Sequence, residues 1–164
     1  MSKSFTLIEM VVAIFLVTLG AGAAFNVIQS TTSFASVTSA QLAASYLAQE
    51  GIEVVRNIRD TNWLEQRTSP GTLWDDGISI DDDYRLDFQS AAFPDSSCSL
   101  GAEDFLKYDG SFYNCSLGEE TKFKRKITVE KPQAGVMVVS VEVSWSERGR
   151  PHQVTAQTKL YNWR

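Results

Sequence analysis

The chain has 164 residues, of which 43% are hydrophobic and 11% aromatic. That suffices for one modest packed unit beside an additional segment, and it excludes a disordered chain. The formal net charge of -5 argues against a general nucleic-acid binder. The charge is unevenly spread, with 6 basic and 17 acidic residues over positions 1–121 and 9 and 3 over positions 122–164.

The first element in chain order is an apolar run. A leader of four residues, with Lys3 as its only charge, precedes SFTLIEMVVAIFLV, Ser4 to Val17. One carboxylate, Glu9, breaks the run, and the next charged residue is Glu50. A charge among apolar groups is costly unless paired, so an acid at the head of such a run is a functional candidate. The competing explanation is local: near a helix start an acid is favoured by the helix dipole. Residues 1–4 are too short for a secretory leader with its own apolar region. From Phe5 to about Ile28 the run is long enough to span a bilayer, which takes about 20 apolar residues. Lys3 before it, and no further Lys or Arg until Arg56, place the N-terminus in the cytoplasm.

FTLIE directly after a short basic leader resembles the processing site of type IV pilins and pseudopilins. The resemblance implies a membrane peptidase that cuts between Ser4 and Phe5 and methylates the new N-terminus. It also implies Glu9 as the residue used in assembly. The family prefers Gly where this chain has Ser4, so slower cutting is expected. The implied partners are other pilin or pseudopilin subunits, the prepilin peptidase, membrane lipid, and an inner-membrane platform with its cytoplasmic ATPase. The implied place is the inner membrane, crossed once, and then an extracytoplasmic filament.

The helical pattern continues beyond the membrane. Gly20 and Gly22 weaken a helix by about 1 kcal/mol each relative to Ala, but with no proline nearby a continuous helix is expected. Asn26 to Gln41 is uncharged and rich in Ser, Thr and Ala, suiting close helix packing. Leu47, Val54 and Ile58 share a face on which Gly51 allows close approach, whereas Glu53, Asn57 and Asp60 share another. One helix from about Thr6 to about Arg59 is predicted, on the order of 80 Å long, its second half docking on a head. The division expected is leader 1–4, helix 5–59 and head 60–164.

In the head, Ser69-Pro70-Gly71 and Asp76-Gly77 read as turns. Asp75, Asp76, Asp81, Asp82 and Asp83 crowd one segment. They read as a solvated acidic loop, with a calcium site as the lesser alternative. Tyr84 to Phe88 alternates as a short strand, and Phe105 to Cys115 reads as a hairpin turning at Asp109-Gly110. Lys122 to Lys131 alternates with Phe123, Arg125, Ile127 and Val129 on one face. Pro132 to Gly135 is a turn. Met137, Val139, Val141, Val143 and Trp145 point one way in the next strand, and Val154 to Leu160 supplies a third. An α+β fold follows: a long N-terminal helix and a C-terminal antiparallel meander with one buried face.

Two cysteines are too few for a structural zinc site, and the single His152 offers no catalytic constellation. No nucleophile–base spacing, metal motif or phosphate loop occurs, so neither an enzyme nor a cofactor is expected. In an exported head, Cys98 and Cys115 are expected to form a disulfide. Nucleic acid is not favoured as a partner, because aromatic residues are not interleaved with Lys122, Lys124 and Lys126. The function expected is a structural subunit, minor pilin or pseudopilin, of a type IV filament serving adhesion, motility, secretion or DNA uptake. The alternative is a monomeric membrane-anchored binding domain.

Overall fold

The computed structural model describes residues 6–78, 83–88, 90, 98 and 105–163. The elements in order are helix α1 (Leu7–Glu65) and strands β1 (Asp83–Tyr84), β2 (Lys107–Tyr108), β3 (Tyr113–Asn114), β4 (Glu119–Glu120), β5 (Phe123–Gln133), β6 (Val136–Glu147) and β7 (Arg150–Tyr161). The chain divides into two compact units, residues 1–40 and 41–164. The architecture is the expected one, a long N-terminal helix followed by an antiparallel sheet.

In the first unit the helix is unbroken through Gly20 and Gly22. Thr6 caps it: the Glu9 amide donates to Thr6 Oγ1 at 3.3 Å. Every residue from 6 to 32 is exposed. Polar side chains within this apolar stretch return their hydrogen bonds to the helix itself. Thr18 donates to the Phe15 carbonyl, Asn26 to Gly22, Thr31 to Val27 and Thr32 to Ile28. An apolar surround therefore does not strand these donors.

In the second unit, Ala44, Leu47, Ala48, Val54, Val55 and Ile58 recur at helical spacing and are buried. They form a core with Ile127, Val129, Met137, Val139, Val141 and Val143 from the inner face of the larger sheet. That sheet has the order β1-β5-β6-β7, all antiparallel. At Gly51 helix and sheet approach closely, since a Cβ built there would lie 2.9 Å from Val141 Cγ1.

Several boundaries differ from expectation. The helix runs to Glu65, past Arg59, because Asn62 Nδ2 donates to the carbonyls of Trp74 at 3.2 Å and Asp76 at 2.7 Å. Trp63 is buried beside it, 4.5 Å from Trp163 between ring centroids. Pro132 lies inside β5 rather than in a turn, where the register shifts between Glu130 and Gln133. A bulge tolerates the missing N–H. The reversal falls on Ala134-Gly135, with Gly135 at φ 76°. Of the expected strand Tyr84–Phe88 only Tyr84 pairs with β5, joined by Asp83 before it, and from there Arg85, Leu86 and Asp87 are all buried, not alternating.

The hairpin forms between β2 and β3, but its loop is Asp109 to Phe112, not two residues. The Asp109 carboxylate accepts from the amides of Ser111 and Phe112, both at 2.8 Å. Strand β4, which the sequence pattern does not reveal, joins the other side of β2.

Candidate functional site

Glu9 stands at the third helical position, three residues after its Thr6 cap, so Thr-x-x-Glu has the form of a capping box. An acid here suits the positive end of the helix. It is exposed, the helix surface stays exposed to residue 32, and no charge follows through the rest of the first unit. Ser4 and Phe5, the expected processing pair, lie outside the described residues.

The head is tied together by a charge pair that the motifs do not announce. Arg125 is buried on the inner face of β5, where its alternation with Phe123, Ile127 and Val129 places it. Nη1 donates to Glu50 Oε1 at 2.9 Å and to the Leu47 carbonyl at 3.2 Å. Nη2 donates to the Leu86 carbonyl at 2.5 Å. One guanidinium thus joins α1, β5 and the segment after β1. The available signal was a lone Arg at an inward strand position, together with Glu50, the first charge after the long neutral stretch and three residues from Leu47.

Cys98 and Cys115 form a disulfide, separated by 17 in sequence with Cα atoms 5.1 Å apart. Asp87 lies close to the bridge, and these three residues are a metal-like grouping whose sulfurs are bonded to each other.

In the acidic segment Asp76 and Asp83 are exposed, as expected, whereas Asp75 is part-buried. Asp75 pairs with Lys131, and their side chains are 16% and 23% exposed. Burial pushes the Lys131 ammonium below the ordinary lysine range. Asp76 Oδ2 accepts the Leu73 amide at 2.6 Å. Asp83 lies 3.6 Å from Lys126 and accepts from Thr128 Oγ1 at 2.7 Å. Asp81 and Asp82 lie outside the described residues. The basic and acidic halves of the sequence therefore meet, in part, within one head. The exposed Asp109 has its carboxyl held below the usual range by the backbone amides of Phe112 and then Ser111.

Residues 1–25 match the family model of the prokaryotic N-terminal methylation motif, the signature of type IV prepilins. No curated protein and no solved structure significantly matches the chain. The motif supports a type IV pilin-like subunit, a structural protein rather than an enzyme. It implies assembly with other pilins and handling by the prepilin peptidase, and the apolar helix is consistent with membrane anchoring.

Proposed function

We propose that the chain is a minor pilin or pseudopilin, cut between Ser4 and Phe5, methylated on Phe5, and drawn from the inner membrane into a filament through Glu9. The N-terminus lies in the cytoplasm before assembly and the head lies outside it. The observation that carries this reading is the exposed helix surface of the first unit. Residues 10–40 hold no charge, and as a helix they measure about 45 Å, against about 30 Å for a bilayer core. A simple anchor does not need the excess. A subunit whose helix is to be enclosed by others does, and small Ser, Thr and Ala side chains let neighbouring helices approach.

Once cut, the new amine lies about one helical turn from Glu9. Both charges leave the interface when the subunit enters a filament. A carboxylate facing an ammonium recovers much of the several kcal/mol that an unpaired buried charge costs. Pairing the amine of one subunit with Glu9 of another would also set the axial register. A modest head without a long insert suits a minor subunit better than the main building block.

Intact-mass measurement of the membrane-extracted chain tests the processing step. The expected product begins at methylated Phe5, and Ser4→Gly speeds its appearance. A product still beginning at Met1 or Ser2, in cells with an active peptidase, contradicts the reading.

A further inference from the structure

Among the described residues β7 pairs with β6 alone, so its other side is a free strand edge from Arg150 to Tyr161. Which backbone groups face that edge follows from the β6–β7 turn. Arg148 and Gly149, at φ 52° and 75°, form a two-residue turn of the primed kind between the partners Glu147 and Arg150. The pair flanking such a turn exchanges hydrogen bonds, and bonding alternates from there. Arg150, His152, Val154, Ala156, Thr158 and Leu160 therefore bond to β6. The Asn162 amide, next in the series, donates to the Gly135 carbonyl at 2.8 Å. The N–H and C=O groups of Gln153, Thr155, Gln157, Lys159 and Tyr161 point outward. Pro151 belongs to the same odd series, and its missing N–H leaves the β6 ladder intact.

An edge of this length is a template for another strand. The usual guards against pairing, Pro and Lys, stand at positions 151 and 159 and leave 153–157 without either. No acid lies in β7. The even residues face the core but are covered thinly. Val154, Ala156 and Thr158 are half-buried, where their β6 partners Val143, Val141 and Val139 are 0% exposed.

We propose that the occupant of this edge is a second copy of the chain, its β7 antiparallel to the first about a twofold axis at Ala156. That register suits the residues. Odd positions meet odd, so both edges exchange their free groups, Thr155 with Gln157 and Gln153 with Lys159 of the second copy. No like charges stand opposite each other. Ala156 meets its own counterpart at a narrow, non-hydrogen-bonded pair, with Cα atoms about 4.5 Å apart, where a small side chain fits. Val154 meets Thr158 on the same face. Pro151 falls at the end of the pairing, opposite Tyr161, where one absent donor matters least. A twofold axis normal to the sheet reverses every direction in its plane, so the two α1 segments packed on the paired sheets run oppositely. On the filament reading this joins subunits of two filaments rather than neighbours in one; the pairing itself does not rest on that reading.

Sedimentation equilibrium of the full chain in density-matched detergent tests the pairing. One strand pair is a small interface, so a monomer–dimer equilibrium with a dissociation constant on the order of 100 µM is expected. Thr155→Pro removes an outward N–H on the side of the strand that already holds Pro151. It should keep the melting temperature within a few degrees and weaken the dimer at least about tenfold. Cysteine cross-linking fixes the register. Ala156→Cys puts two thiols on the axis within disulfide reach, whereas Gln153→Cys, at a more exposed position, sets them beyond the limit of about 7 Å between Cα atoms. Under mild oxidation Ala156→Cys should link copies at least about tenfold faster than Gln153→Cys. Should Thr155→Pro not fold, the two cysteine variants decide alone. A chain monomeric up to about 1 mM, as an edge kept for another protein's strand would be, overturns the proposal. So do species larger than a dimer, a dimer indifferent to folded Thr155→Pro, or Gln153→Cys linking as fast as Ala156→Cys. None of these measurements requires leader cleavage or filament entry, so failure here is distinguishable from failure of the assembly reading.

Discussion

Arg125 and Glu50 meet at 2.9 Å across the interior of the head, the arginine side chain fully buried and the glutamate one-third exposed. The asymmetry decides which partner matters more. Glu50 keeps some water if it loses Arg125, whereas Arg125 without Glu50 is a charge shut away from solvent. Removing one member of a buried pair costs about 3–5 kcal/mol, whereas an apolar replacement of matched volume is often milder. Glu50→Ala is therefore expected to destabilise the head more than Arg125→Met. Thermal melting of the detergent-solubilised variants, followed by tryptophan fluorescence, checks the order. The reverse order would mean that the bonds from Arg125 to the Leu47 and Leu86 carbonyls outweigh the charge pair.

Gly51 permits the approach of α1 to β6. A methyl there meets Val141 Cγ1 at 2.9 Å and Cγ2 at 3.2 Å. Gly51→Ala gains helix propensity of about 1 kcal/mol, but overpacking costs about 1–3 kcal/mol, so a net loss is predicted. Val141→Ala makes room, so the double variant should melt above the value expected from adding the two single losses. Strict additivity would show that the helix shifts away instead.

The Cys98–Cys115 bridge closes a loop of 16 intervening residues. The chain-entropy relation assigns such a loop about 3 kcal/mol. The paired Cys98→Ser and Cys115→Ser variant should lose stability of that order. Alkylation of the unreduced protein followed by mass spectrometry should find no free thiol.

Asp109 gives a pH dependence of known sign. Its carboxyl titrates below the usual range because the charged form accepts the Phe112 and Ser111 amides. The stabilisation is complete above the unfolded value of about 3.9 and is lost as pH falls through the lower folded value. Amide exchange at Ser111 and Phe112 should rise at acid pH, relative to the intrinsic rate, before that of β6. Asp109→Asn should flatten this dependence.

The overall architecture was legible because hydrophobic period is a local property. Alternation in β5 and β6 predicts the buried set, and Leu47, Val54 and Ile58 with Gly51 predict the docking face. What failed was set by distant partners. The helix was expected to end near Arg59, and its extension to Glu65 carries Asn62, whose amide the Trp74 and Asp76 carbonyls occupy. Glu119 and Glu120 have little strand propensity, and β4 exists because β2 offers an edge. Asp75 read as solvated because Lys131, which meets it, lies more than fifty residues further on. Glu9 stood out for a different reason, as the one charge in the apolar run; its place three residues after the Thr6 cap became visible only in the structure. Arg125 was placed on the correct face, but its partner across the core was not readable from strand alternation.

Recovery of Glu9 variants in sheared surface filaments, measured against the membrane fraction, tests the assembly reading most directly. Glu9→Ala and Glu9→Gln should insert, undergo leader cleavage and form the disulfide as the wild type does, yet be depleted at least about tenfold from filaments, the equivalent of about 1.4 kcal/mol. Gln keeps the shape and loses the charge, so it should fare nearly as badly as Ala. Wild-type recovery of Glu9→Ala in filaments would contradict the reading and leave Glu9 as a capping-box residue at the membrane interface.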